Sequence, residues 1–168
     1  MSYDLSKPLV IGISSRALFN LEQENKIFEE QGVEAYEAYQ VTHENEILQK
    51  GAAFQLIKAF LKLNNTGLGR LVEVIIMSRN NANTCLRIFN SIQYYGLDIT
   101  RATLTSGAEI APYLKAFKTD LFLSANSVDV QSAINDGIAA GLILTGAAHA
   151  DAKQKIDQIR IAFDGDAV

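Results

Sequence analysis

Val72-Glu73-Val74-Ile75-Ile76-Met77-Ser78-Arg79-Asn80 is the stretch on which the fold class turns. Val72 to Met77 is a short apolar run rich in β-branched residues, interrupted only by Glu73, and it reads as a strand. The polar triplet after it is a loop at the strand's carboxyl end. Beyond that loop, Ala82, Cys85, Leu86, Phe89 and Ile92 recur at helical spacing and are expected to share one buried face, until Gly96 ends the helix. Strand, loop and helix make a unit that the rest of the chain repeats.

Towards the amino terminus, Leu9 to Ile13 is a compact apolar run between Pro8 and Ser14-Ser15, which reads as a first buried strand. Leu21 to about Lys50 is polar and helix-prone, with Ile27, Phe28, Val33, Tyr36 and Tyr39 as scattered anchors and Gly32 as a break. Two helices outside the main sheet are expected there. Ala52 to Leu63 adds a core-facing helix through Ala53, Phe54, Ile57, Phe60 and Leu61, so the helical insertion after the first strand covers about 21–63.

Towards the carboxyl terminus the unit recurs. Strands are expected at Ala102–Thr105, Leu121–Leu123 and Leu142–Thr145, each followed by a helix: Ile110–Phe117, Val128–Asp136 and Asp151–Ile156. Ile159 to Phe163 reads as a last strand. Alternating strands and helices bury both sheet faces and favour parallel pairing, which predicts an α/β, three-layer, Rossmann-like domain with a mostly parallel sheet.

In open sheets of this class the ligand crevice lies at the carboxyl ends of the strands. That rule selects five loops: Ser14-Ser15, Ser78-Arg79-Asn80, Ser106-Gly107, Ser124-Ala125-Asn126 and Asp164-Gly165-Asp166. Ser14-Ser15 and Ser78-Arg79-Asn80 could form an anion or substrate pocket from hydroxyls, backbone N–H groups and one arginine, and ordinary loop polarity accounts for the same residues nearly as well. Only the last loop brings two carboxylates.

A carboxylate fixed directly after a buried strand can hold Mg²⁺ through oxygen and attack an in-line phosphorus. Asp164 fits that nucleophile. Asp166, two residues on, fits the general acid and base that protonates the leaving alkoxide and then activates water. Gly165 leaves room for a phosphate. Taken alone, Asp-Gly-Asp favours a surface turn, and the apolar run Ile159 to Phe163 before it with Ala167-Val168 after it brings the catalytic reading level.

Composition narrows the classes further. The 168 residues suit one domain, and 48% apolar with 20% charged residues and two prolines is the profile of a folded globular protein. Fifteen basic against nineteen acidic side chains give a net charge of −4 with no basic stripe, so nucleic acid is not an expected partner. Apolar runs such as Gly137 to Leu144 are far short of the roughly 20 residues that cross a bilayer, and Met1-Ser2-Tyr3-Asp4 lacks a signal peptide's basic start, which points to the cytoplasm without membrane attachment. Cys85 is the only cysteine and suits a core slot. Asn64-Asn65-Thr66 matches the glycosylation pattern, which is idle in that compartment.

His43-Glu44 has no second histidine at helical spacing and His149 stands alone, so zinc is not expected, and a solvated cap position suits His43. Gly67-Leu68-Gly69 precedes a strand and lacks the dinucleotide fingerprint. Tyr94-Tyr95 at a helix end is expected to pack against the core.

Ile11-Gly-Ile-Ser-Ser-Arg-Ala-Leu-Phe19, Gly32-Val-Glu-Ala-Tyr36, His43-Glu-Asn-Glu46, Leu48-Gln-Lys-Gly51, Ala53-Phe54 and Phe163-Asp-Gly-Asp-Ala-Val168 together resemble the cytosolic 5′-nucleotidase type I family, within the haloacid dehalogenase-like superfamily. The resemblance implies Mg²⁺-dependent hydrolysis of nucleoside 5′-monophosphates, AMP-like ones favoured, through an aspartyl-phosphate intermediate. It also implies a longer protein built of two halves in tandem. On that comparison residues 1–157 match a degenerate first half, and residues 158–168 match the first strand and aspartate motif of a catalytic second half, a partner this chain lacks.

The degeneracy follows from the same comparison. Ile13 and Ser15 stand where the first half would carry its two aspartates, Ser78 lies at or next to the phosphate-holding hydroxyl, Ile110 replaces the lysine, and Ser124-Ala125 replaces the acidic pair. The 168-residue chain alone is therefore expected to lack appreciable activity. A non-catalytic domain that binds a nucleotide or a partner domain is the alternative expectation. A homo-oligomer is left open.

Overall fold

In a computed structural model, residues 7–82 and 84–145 are described. Among the described residues five strands form one sheet: β1 (Leu9–Ser14), β2 (Val72–Ser78), β3 (Arg101–Leu104), β4 (Leu121–Ser124) and β5 (Ala139–Leu142). Their order is β3-β2-β1-β4-β5, and every pairing is parallel. β1 and β2 run in register from Leu9 opposite Val72 to Ser14 opposite Met77. The order reverses between β1 and β4, which places a switch point at the paired carboxyl ends of those strands.

Side-chain alternation sends each strand's residues to two faces. On one, Ile11, Ile13, Val74, Ile76 and Leu123 pack under helices α1 (Ser15–Leu18), α3 (Phe54–Lys62) and α4 (Leu86–Tyr94). On the other, Val10, Ile75, Met77 and Phe122 pack under α5 (Ala111–Ala116) and α6 (Ser127–Asn135) through Ile110, Leu114 and Ala133. Two helical layers around a parallel sheet make the three-layer Rossmann-like α/β fold that the sequence predicts.

Between α1 and α3 lies α2 (Glu22–Thr42), broken at Gly32, whose φ of 86° is a conformation that favours glycine. Two helical segments thus occupy the stretch where two were expected. α2 buries only Glu24 and Gln40. An isolated antiparallel bridge between Phe19 and Lys50 returns the chain to the body of the domain.

Two expectations are corrected. The fifth strand is Ala139–Leu142, three residues before the expected Leu142–Thr145. α6 closes on Gly137 at φ 77°, where the Gly137 and Ile138 amides donate to the carbonyls of Ile134 and Ala133, and the chain enters the sheet at once. Ala139, Ala140 and Gly141 carry no strand-like pattern, so the apolar triplet after them drew the expectation.

The second correction concerns α4. Leu86 and Phe89 face outward at 49% and 38% exposure, while Ile88 joins Cys85 and Ile92 in the core. The helix is rotated because Arg87 and Ser91 also turn inward. Ser91 Oγ accepts the Leu48 amide at 2.9 Å and donates to the Arg87 carbonyl at 2.8 Å. Tyr95 packs against Phe19 and Phe54 as expected, whereas Tyr94 is 68% exposed. The expected helix Asp151–Ile156, the strand Ile159–Phe163, His149 and the aspartates Asp164 and Asp166 lie outside the described residues.

Candidate functional site

The loops after β1, β2, β3 and β4 meet at one cavity of about 580 Å³, closed on its other side by α2. Ser14, Ser15, Ser78, Arg79 and Asn80 all line it, with Ser106, Gly107, Ser124 and Asn126. The volume lies in the range of small-molecule sites, about 300–1,000 Å³.

Ser14 caps α1, its Oγ accepting the Ala17 amide at 3.3 Å, and it also accepts the Ala125 amide at 3.2 Å. One hydroxyl thus joins the ends of β1 and β4 at the switch point. Ser15 and Ser78 hydroxyls stand 3.3 Å apart, both buried, and Ser78 Oγ takes the Asn80 amide at 3.2 Å. Ser124 Oγ does the same for the Asn126 amide at 3.1 Å. Asn126 then caps α6 by accepting the amides of Val128 and Asp129 at 2.9 and 3.2 Å.

Arg79 donates through Nε and Nη2 to Asp129 Oδ1, with the Nε contact at 3.1 Å, and through Nη1 to the Gly107 carbonyl at 3.4 Å. Asp129 is 6% exposed, so its charge is matched within the protein. Arg16 is likewise engaged, with Nε and Nη2 on the Glu22 carboxylate at 3.0 and 2.9 Å. That contact holds the Glu22 carboxyl below its ordinary range.

From α2, Tyr36 donates its hydroxyl to Asn80 Oδ1 at 2.9 Å and accepts from Gln40 Nε2 at 3.0 Å. Burial pushes the Tyr36 phenol upward in pKa. Asn80 Nδ2 is buried without a hydrogen-bond partner among the described residues. Asn81 Nδ2 donates to Glu37 Oε1 at 2.5 Å, a second link between α2 and the β2 loop. Glu24 pairs with Arg87 Nη1 at 2.5 Å, both residues buried.

Sequence reading missed Tyr36, Glu37 and Asp129 as site residues. The first two meet their partners 44 residues away, a separation no local pattern reveals. Asp129 had a signal, the Asn126-x-x-Asp129 spacing of a capped first helical turn.

Ser15, Ser78, Ile110 and Ser124, the positions compared with catalytic motifs above, all border this cavity, whereas Ile13 is fully buried in the core. Two arginines face three carboxylates, Glu24, Glu37 and Asp129, each of them hydrogen-bonded inside the protein. Among the described residues no group of three His, Cys, Asp or Glu side chains could hold a metal ion. Cys85 is buried and its thiol is pushed up to about 12, which excludes a reactive thiolate. His43 stacks on Tyr39 at 4.0 Å and places Nδ1 2.7 Å from the Tyr39 carbonyl, a helix-end role.

The 5′-nucleotidase family model matches residues 1–168. This chain belongs to the 5′-nucleotidase family. Human cytosolic 5′-nucleotidase 1B is 42% identical over 167 residues, which cover 95% of this chain and 27% of that protein. The chain therefore spans about a quarter of the length of that relative. The family match includes Phe163–Val168, with Asp164 and Asp166, as well as the four loops around the cavity. No helix among the described residues is long and apolar enough to cross a membrane.

Proposed function

We propose that the protein is a cytoplasmic, Mg²⁺-dependent 5′-nucleotidase that hydrolyses AMP-like nucleoside 5′-monophosphates, with residues 1–157 forming a non-catalytic half. The observation that carries this reading is the family match across the whole chain, aspartate motif included. The cavity supports the second part, because among the described residues its lining brings no carboxylate pair free of protein partners and no lysine to the strand ends.

In this reading Asp164 attacks phosphorus, the bond to the 5′ oxygen breaks, and Asp166 protonates the departing nucleoside. Asp166 then takes a proton from the water that cleaves the aspartyl phosphate, releasing orthophosphate and restoring the Asp164 carboxylate and the protonated Asp166. Asp164 and Asp166 are the residues that would hold Mg²⁺, which compensates phosphate charge when bound. Ser14, Ser15, Ser78, Arg79 and Asn80 contact a ligand in the first half. The remaining catalytic groups come from a second half of the same protein.

Orthophosphate release from AMP with Mg²⁺ tests this directly. A protein extended through a second half is expected to turn over, and Asp164→Asn to reduce the rate at least about 10³-fold. The 168-residue chain alone is expected to be inactive. Robust turnover by that chain, lost on Asp164→Asn, would overturn the assignment of residues 1–157 as a non-catalytic half.

A further inference from the structure

The cavity of the first half is built for an uncharged ligand. Four backbone amides at these strand ends are already committed: Ala17 and Ala125 to Ser14, Asn80 to Ser78, Asn126 to Ser124. The first amides of α6 are capped by the Asn126 side chain, which removes the usual anion site at a helix start. The Gly107 amide donates to the Arg79 carbonyl at 2.7 Å.

The charges are committed as well. Arg79 faces the cavity with Asp129 on its guanidinium, and Arg16 with Glu22. A phosphate dianion entering here would meet more carboxylate than free cation, and would have to break an existing pair to gain one.

What remains available is neutral. Asn80 Nδ2 is a buried donor lacking an acceptor among the described residues, and an unfilled donor of this kind disfavours an empty site. Ser15, Ser78 and Ser106 bring hydroxyls from the sheet side. From α2 comes Phe28, 47% exposed, its ring edge-on to Tyr36 at 5.9 Å and open to a flat partner. Hydroxyl and amide groups on one side with an aromatic ring on the other suit a sugar bearing a flat base.

We infer that the first-half cavity binds a free nucleoside, the product class of the proposed reaction, and discriminates against its 5′-phosphate. The choice of nucleoside rests on the nucleotidase reading; the discrimination against phosphate rests on the cavity's own hydrogen bonds and ion pairs. A product site in the non-catalytic half would let released nucleoside bind away from the Asp164 centre.

Calorimetric titration of the 168-residue chain with adenosine, AMP, ribose and orthophosphate tests this. Adenosine is expected to bind at least about tenfold tighter than AMP, with orthophosphate showing no heat of binding. Asp129→Asn frees the Arg79 charge and is expected to bring AMP affinity up to or above that of adenosine. Phe28→Ala removes an exposed side chain, leaves folding intact, and is expected to weaken adenosine about tenfold. AMP or orthophosphate binding the unmodified chain as tightly as adenosine would overturn the inference, as would no adenosine binding at all. Adenosine binding that survives Phe28→Ala and an unchanged preference in Asp129→Asn would each do so too. Adenosine binding by this chain with no AMP hydrolysis by the extended protein leaves the cavity's specificity standing and removes the nucleotidase reading. Hydrolysis without adenosine binding does the reverse.

Discussion

Ile11, Ile13, Ile75 and Ile76 in the central strands have no exposed surface, whereas Phe28, Val33 and Val41 on α2 are 47%, 54% and 49% exposed. The sheet is held by apolar burial on both faces. The insertion is held by polar links: Glu24 to Arg87, Tyr36 to Asn80, Glu37 to Asn81 and Glu22 to Arg16. Burial is non-directional and scales with area, while hydrogen bonds and ion pairs depend on single partners in set geometry. The sheet therefore tolerates conservative apolar exchange, and the wall that α2 gives the cavity depends on individual side chains.

The largest effect is expected in the sheet. Phe122 on β4 is fully buried against Met77 and Leu114, and Phe122→Ala removes a ring whose loss costs about 3–5 kcal/mol. Urea unfolding should show one lowered midpoint with an unchanged slope, because the central strands share the core and unfold together. A loss under about 1 kcal/mol would mean that this face is not packed as a single core.

The same contrast decides what was legible in the sequence. β1 and β2 announced themselves because strands covered on both faces read as short apolar runs. Loops at the strand ends could be named by rule, and Ser14, Ser78, Ser106 and Ser124 do converge on one cavity. Gly32 marked the break in α2 because no other residue suits its backbone angle as well. The inward turn of Arg87 was invisible, since it answers Glu24, 63 residues earlier. β5 was misplaced for the opposite reason: its Ala-Ala-Gly stretch carries little apolar signal, and its pairing with β4 fixes it instead. Asp164 and Asp166 were read from motif alone, and their role stays a proposal.

A middle effect belongs to the buried ion pair. Glu24→Ala leaves Arg87 charged, 7% exposed and with only the solvent-exposed Glu46 carboxylate, 3.6 Å away, to compensate it. Breaking a pair trapped in a rigid core costs about 3–5 kcal/mol, but α2 can relieve the charge by lifting away, so about 2–3 kcal/mol is expected. Hydrogen exchange should show α2 amides losing protection while β1 and β2 keep theirs. Equal loss in both regions would show that insertion and sheet form one cooperative unit. The double change Glu24→Leu with Arg87→Met should recover most of the stability, as apolar replacement of both partners removes the unpaired charge.

The smallest effect is expected at the rim. Arg16 and Glu22 make a two-point contact, yet their side chains are 32% and 48% exposed, so water screens the pair and Glu22→Gln is expected to cost under about 0.5 kcal/mol. Its pH dependence has a definite sign. The folded state holds the Glu22 carboxyl below its ordinary range, chiefly through the Arg16 hydrogen bond, so the folded chain favours the ionised form. The contribution is complete above the ordinary glutamate range and fades as pH falls through the lowered value. Thermal melts of the parent and Glu22→Gln chains should therefore differ slightly at neutral pH and converge in acid. A difference that grew on acidification, or one at neutral pH as large as that of Glu24→Ala, would contradict the view that burial separates the two contacts α2 makes within three residues of each other.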